Sequence, residues 1–243
     1  MKKVFNSRNI VIFIFITFLF SILYTSLRIA IAPVVAPDSD SMVRVKSDYV
    51  FMLVSCVAGA LAMLLPGFLV RKVNLNIPSF MIVVYALFVY CAIYLGEVRN
   101  FYYAIPHWDT ILHTFSGVAL GALGFSIFSL LNKTETVGFT LSPVFVALFA
   151  FCFAVTIGVI WETIEFAIDY FLNTNMQRFA RATGELLMGQ AALIDTMKDL
   201  LVDSLGAFVI STVGYVSLKY DSSWLERFHI CRNSDCERMS WAA

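Results

Sequence analysis

The sequence predicts an all-α fold, a polytopic membrane helix bundle of about six transmembrane helices, and three observations lead there. First, 60% of the 243 residues are apolar and only 14% are charged, where soluble domains carry about 45–50% and about 25%. Second, the mean hydropathy is +0.81. Third, long apolar runs recur along the whole length, so the excess is not one buried core helix; it calls for a lipid solvent. No alternating pattern suggests a barrel, and open strands cannot satisfy their backbone groups in hydrocarbon, so the spans must be helical.

The spans fall at 10–31, 49–70, 78–96, 108–131, 141–171 and 193–217. Each holds close to, or somewhat more than, the roughly 20 residues that a bilayer core requires. Lys2, Lys3 and Arg8 precede the first run in the manner of a signal peptide. Pro33 and Pro37 follow its small-residue sites, however, and proline is a poor residue just after a cleavage site, so a retained first helix is expected. Arg71 and Lys72 begin the link between the second and third spans, Glu97 and Arg99 belong to the outer loop after the third, and Asn132 and Lys133 begin the link between the fourth and fifth. The fifth is the longest, and its last turns can stand above the lipid or tilt. Two connections are longer. Residues 33–48 carry Asp38, Asp40, Arg44, Lys46 and Asp48, the three aspartates being expected in solvent. Residues 173–192 carry Arg178, Arg181 and Glu185 and could form a short helix lying on the membrane. The chain thus divides into a bundle, 1–219, and a polar tail, 220–243.

With the N-terminus inside, ten basic residues lie on the inner side and seven on the outer, a modest bias toward both termini being cytoplasmic. The 17 basic and 17 acidic residues balance, which argues against a nucleic-acid partner. Cys56, Cys91 and Cys152 sit in apolar runs as small thiols. His229, Cys231 and Cys236 in the tail are a weak metal pattern by spacing.

Chemistry concentrates in three segments. Asp109 and His113, four residues apart, enter the fourth span on one face. Glu162, Glu165 and Asp169 share a face where the fifth ends. Asp195, Asp199 and Asp203 form one stripe where the sixth begins. The fourth and sixth spans start, and the fifth ends, at the same membrane face, whichever way the protein inserts. Each charge at mid-membrane costs about 2.5–3.5 kcal/mol, and less toward the interface. These groups should therefore face one another or a wet cavity. An interfacial polar collar or plain salt bridges would be the ordinary explanation. Converging carboxylates repel, though, and Lys198 with Arg178 and Arg181 folded over the top cannot balance so many. A divalent metal ion, or protons, would complete the charge balance. Mixed histidine and carboxylate ligands suit zinc, manganese or iron, and an all-oxygen subset would suit magnesium or calcium. Trp108 and Trp161 read as interface anchors and His107 as a loop residue. Gly117, Gly121, Gly124, Gly206 and Ala207 allow the helices to approach closely.

Three stretches carry a resemblance to a known family: Pro106-His107-Trp108-Asp109-Thr110-Ile111-Leu112-His113, Trp161-Glu162-Thr163-Ile164-Glu165, and Asp195-Thr196-Met197-Lys198-Asp199-Leu200 with Asp203 and Gly206-Ala207. In these, over roughly residues 45–220, the chain resembles the YjdF-like family of bacterial inner-membrane proteins. It is more loosely similar to VanZ-like membrane proteins, which place an Asp-x-x-x-His at the start of one helix and a later Asp before a glycine. The resemblance implies a bacterial cytoplasmic (inner) membrane location and supports fold and cluster, but implies no reaction.

The expected function is a metal-dependent membrane enzyme acting on a lipid or lipid-linked substrate at the outer leaflet. Asp109, His113, Glu162, Glu165, Asp195 and Asp199 are the candidate ligands or general bases. Asp203 is a further ligand or, like Asp169, a supporting residue behind the ligands. Ser116, one turn from His113, is a weak nucleophile pair. An ion- or proton-coupled transporter is the rival, though the inner halves of these spans carry no matching acidic steps. A structural cluster that only holds the bundle together is the third reading.

Overall fold

The computed structural model describes residues 7–34, 44–132, 142–181, 184–220 and 230–232. Six of its helices are long and apolar enough to cross a membrane. They are α1 (Ser7–Ile31), α2 (Lys46–Lys72), α3 (Ser79–Val89) with its π-helical continuation Tyr90–Val98, α5 (Trp108–Asn132), α6 (Pro143–Leu172) and α7 (Gln190–Tyr220). A single-turn helix, α4 (Phe101–Ala104), joins the third and fourth spans.

Local chemistry sets several of these ends. Asp48 accepts from the backbone N–H of Val45 at 2.8 Å where α2 starts. Ser142 accepts from the N–H of Phe145, and Pro143 fills the first helical position of α6. Asn173, in the left-handed region at φ 53°, closes α6.

The pattern of burial is inverted relative to a water-soluble protein. Phe13, Phe20 and Leu27 on α1, and Leu201, Leu205 and Phe208 on α7, are exposed, while His113, Glu162, Asp195, Asp199 and Asp203 are buried. Only a lipid surround makes that arrangement stable.

By contacts the chain forms two compact units, Met1–Trp108 with Cys231–Ala243, and Asp109–Ile230. In the first, Ile14 and Phe18 of α1 pack with Cys56, Ala60 and Met63 of α2 and with Ala86 and Val89 of α3. Arg44 donates to the carbonyls of Glu97 and Val98 at the end of the π-helical segment, and the Trp108 indole donates to the Cys91 carbonyl inside it. Glu97 therefore ends a span rather than lying in the following loop. A two-residue antiparallel pairing of β1 (Leu75–Asn76) with β2 (Cys231–Arg232) brings the start of the tail back to this unit. Most of the tail, including His229 and Cys236, lies outside the described residues, as do Asp38 and Asp40.

The second unit holds α5, α6 and α7. Phe125, Val146 and Ala150 form its apolar core. A Cβ added to Gly206 would stand 2.6 Å from the Thr114 carbonyl oxygen, so α7 and α5 touch through their backbones there.

Between α6 and α7 the expected surface helix is replaced. Among the described residues this stretch makes turns and one isolated bridge, Ala180 with Leu186. The cause is local. Asp169 accepts from the Thr174 hydroxyl and from the N–H groups of Met176 and Gln177, which offers the backbone an alternative to helical bonding. Asn175 and Ala180 exchange two further hydrogen bonds.

Candidate metal centre

Three helices of the second unit deliver the polar side chains. On α5 the helical spacing sets Asp109 beside His113, with Oδ1 3.8 Å from Nε2. From α6, Glu162 Oε1 stands 3.8 Å from the same nitrogen. From α7 come Asp199 and Asp203. One ligand atom each from Asp109, His113 and Asp199 lie within 4.8 Å of one another.

His113 is held from behind. Its Nδ1 meets Asp203 Oδ2 at 3.1 Å, and the Ser116 hydroxyl donates to Asp203 Oδ1 at 2.6 Å. With Asp203 ionised, a carboxylate that only accepts, Nδ1 would carry the proton and the neutral ring would turn the Nε2 lone pair toward Asp109 and Glu162. Outer carboxylates set histidine ligands in metal sites in the same manner. Room for Asp203 comes from glycine: a Cβ on Gly158 would lie 2.9 Å from Oδ2, and one on Gly117 would run into the Asp203 carbonyl.

The electrostatics leave an excess of acceptors. Asp109, Glu162, Asp195, Asp199 and Asp203 converge here. Arg178 reaches Asp109 at 3.2 Å and Asp195 at 3.6 Å, and Lys198 lies 3.6 Å from Asp195 and 3.8 Å from Asp199. Glu162 is only 5% exposed and Asp199 2%, yet both oxygens of Glu162 and Oδ1 of Asp199 are buried without a hydrogen bond. Each such orphan costs about 1–3 kcal/mol. A positive ion among them would remove that cost. In a tetrahedral site with bonds of about 2.0–2.1 Å, ligand atoms stand about 3.3 Å apart. The 3.8 Å pairs around His113 would have to close by about half an ångström, and the separations to Asp199, within 4.8 Å, by up to about 1.5 Å.

The remaining candidates have other partners. Glu165 accepts from the Trp161 indole at 2.8 Å, so this tryptophan orients a carboxylate besides facing lipid. Asp169 is occupied by the 174–177 turn. Asp195 faces Arg178 and Lys198, and Arg181 pairs with Glu185 instead of covering the cluster. Arg178 itself sits at φ 48°, a left-handed backbone that costs an ordinary residue on the order of 1–2 kcal/mol. Its turn is tied down by Asp169, Asn175 and a Gln177 bond to Thr196 Oγ1 at 2.9 Å. Gln177 and Asn175 had no sequence signal, because loop residues follow no periodicity. Ser116 did have one, its place three residues after His113, but its partner is Asp203 as well as the His113 carbonyl.

Residues 39–220 match the family described as "Predicted membrane protein (DUF2238)", and the chain belongs to that family. A protein of Thermotoga maritima described as "Uncharacterized protein" is 30% identical over 124 residues. That match covers 50% of this chain and 54% of the relative, so it spans about half the length of each. No solved structure matches the chain at a significant level.

Proposed function

We propose that this member of the DUF2238 family is a metal-dependent membrane enzyme that holds one divalent ion between Asp109, His113 and Asp199 and acts on a lipid or lipid-linked substrate. The observation that carries the reading is the meeting of those ligand atoms within 4.8 Å beside Glu162, a buried carboxylate with neither oxygen hydrogen-bonded. An ion there would supply Lewis acidity and acidify a water molecule for attack on an ester or phosphoester. Glu162 is the group placed to take that proton, or to serve as a fourth ligand. Asp203 and Ser116 fix the His113 ring and tautomer. Glu165 and Asp195 lie one step further out, on Trp161 and on the Arg178–Lys198 pair.

The resemblance to YjdF-like proteins and the basic-residue bias support a bacterial inner membrane with both termini cytoplasmic. The cluster would then open at the outer leaflet, where headgroups meet it. A purely structural cluster has one observation in its favour: Arg178 and Lys198 already stand within ion-pair distance of three of the carboxylates.

Elemental analysis of detergent-purified protein, followed by titration with zinc and manganese, separates the two. The enzyme reading expects about one ion per chain, lost in Asp109→Asn and Asp199→Asn variants that still fold. A folded wild-type protein that takes up no divalent ion at any pH, with variants that lose only thermal stability, would establish the structural cluster instead.

A further inference from the structure

The charges left over once an ion is placed say something about what would bind it. Asp109 is shared: Oδ1 faces the His113 imidazole while Oδ2 holds the Arg178 guanidinium at 3.2 Å. The guanidinium therefore stands one carboxylate away from the proposed ligand atoms. Arg178 NH1 and Lys198 Nζ both lie 3.6 Å from the same oxygen, Asp195 Oδ1, so these two nitrogens are within twice that distance of each other. Charge-assisted hydrogen bonds run to about 2.7–2.9 Å. Both contacts to Asp195 are longer than that, as is the 3.8 Å contact of Lys198 to Asp199. Both cations thus face Asp195 at 3.6 Å, while Arg178 is held more closely by Asp109 at 3.2 Å. Both side chains are partly accessible, 29% for Arg178 and 39% for Lys198, whereas the ligand carboxylate of Asp199 is buried. The two cations are thus more accessible than the carboxylates they face.

Arg178 is also placed with care. The turn that carries it is pinned to Asp169 at the end of α6 and to Thr196 on α7. A flexible neutralising charge needs no such anchorage. A guanidinium meant to present its planar fork to a ligand does.

We propose that Arg178 and Lys198, next to the ion held by Asp109, His113 and Asp199, form a binding site for a phosphoryl group, so that the substrate is a phosphate ester. The inference rests on the metal-site reading above. A guanidinium and an ammonium that share Asp195, beside a divalent ion on the neighbouring carboxylates, would match a tetrahedral, multiply charged oxyanion better than a neutral ester or a single carboxylate. Asp195, 3.6 Å from each, keeps the two cations near each other by charge until an anion binds them.

The test is phosphate binding by zinc-loaded protein, followed by calorimetry and by thermal unfolding, with orthovanadate as a second probe and acetate as control. The expected result is saturable phosphate binding that raises the unfolding temperature. Arg178→Gln should lose at least about tenfold in phosphate affinity while its zinc content stays at the wild-type level. Arg178→Lys should lose less, and Lys198→Gln should weaken phosphate without the risk that changing the 174–178 turn brings to folding. Nanodiscs containing phosphatidic acid that displace phosphate, where phosphatidylcholine alone does not, would place the phosphoryl group on a lipid. Phosphate binding without such competition would place it on a soluble molecule. Normal zinc content with no phosphate binding, or with acetate bound equally well, overturns the phosphoryl assignment and leaves the metal site standing. Absent zinc removes the metal site first.

Discussion

Asp203→Asn is the most informative single change. The substitution keeps the shape of the side chain and can keep an oxygen toward His113 Nδ1, 3.1 Å away in the wild type. It removes the negative charge that makes His113 a better ligand, and it puts an NH2 group where the Ser116 hydroxyl now donates at 2.6 Å. Ser116 also reaches the His113 carbonyl at 2.8 Å, so its hydroxyl can turn wholly to that acceptor. The fold should survive, because the side-chain volume against Gly158 is unchanged. Outer partners of histidine ligands are worth about 10–100-fold in metal affinity, equivalent to about 1.4–2.7 kcal/mol. The expected outcome is that fall in zinc affinity, measured by competition with a chromophoric chelator in detergent, with an unfolding temperature of the metal-free protein close to wild type. An unchanged zinc affinity would refute the reasoning that Asp203 acts through His113. A complete loss of zinc in a folded variant would instead make Asp203 a ligand itself.

Other expectations follow from the same geometry. Glu162→Gln replaces a buried carboxylate that faces the His113 ring at 3.8 Å without a hydrogen bond by a neutral amide, and should raise the thermal stability of the metal-free protein while any metal-dependent turnover is lost. Gly158→Ala sets a methyl group 2.9 Å from Asp203 Oδ2 and should cost about 1–3 kcal/mol, read by denaturant or thermal unfolding, together with metal affinity. Asp169→Ala strips three hydrogen bonds from the 174–177 turn, and hydrogen exchange across residues 174–178 should rise while that in α5 does not. Trp161→Phe leaves Glu165 without its indole donor, with a stability loss of about 1 kcal/mol and no change in zinc stoichiometry.

What the sequence made legible was decided by lipid and by helical periodicity. The six spans follow from apolar length, since hydrocarbon permits few other backbones. The meeting of Asp109, His113 and the α7 aspartates followed from i, i+4 spacing on helices that share a membrane face. Which carboxylate does what was not legible. Asp195, Asp199 and Asp203 look alike as a stripe, yet one faces Arg178 and Lys198, one faces the ligand cluster and one stands behind His113. Those roles depend on how α7 is rotated against α5, which the backbone contact at Gly206 helps to set. The π-helical stretch Tyr90–Val98 left no mark in apolar composition, because α and π turns bury similar side chains. The 174–178 turn was hidden for a related reason. Its shape is dictated by Asp169, a residue whose spacing on α6 pointed to the cluster.

X-ray absorption at the zinc edge of the loaded protein tests the central claim most directly. The account predicts a first shell of nitrogen and oxygen at about 2.0–2.1 Å with the outer scattering of a single imidazole, lost in His113→Ala. A sulfur shell at about 2.3 Å, or an imidazole signal that persists in His113→Ala, would put the ion elsewhere and contradict the account.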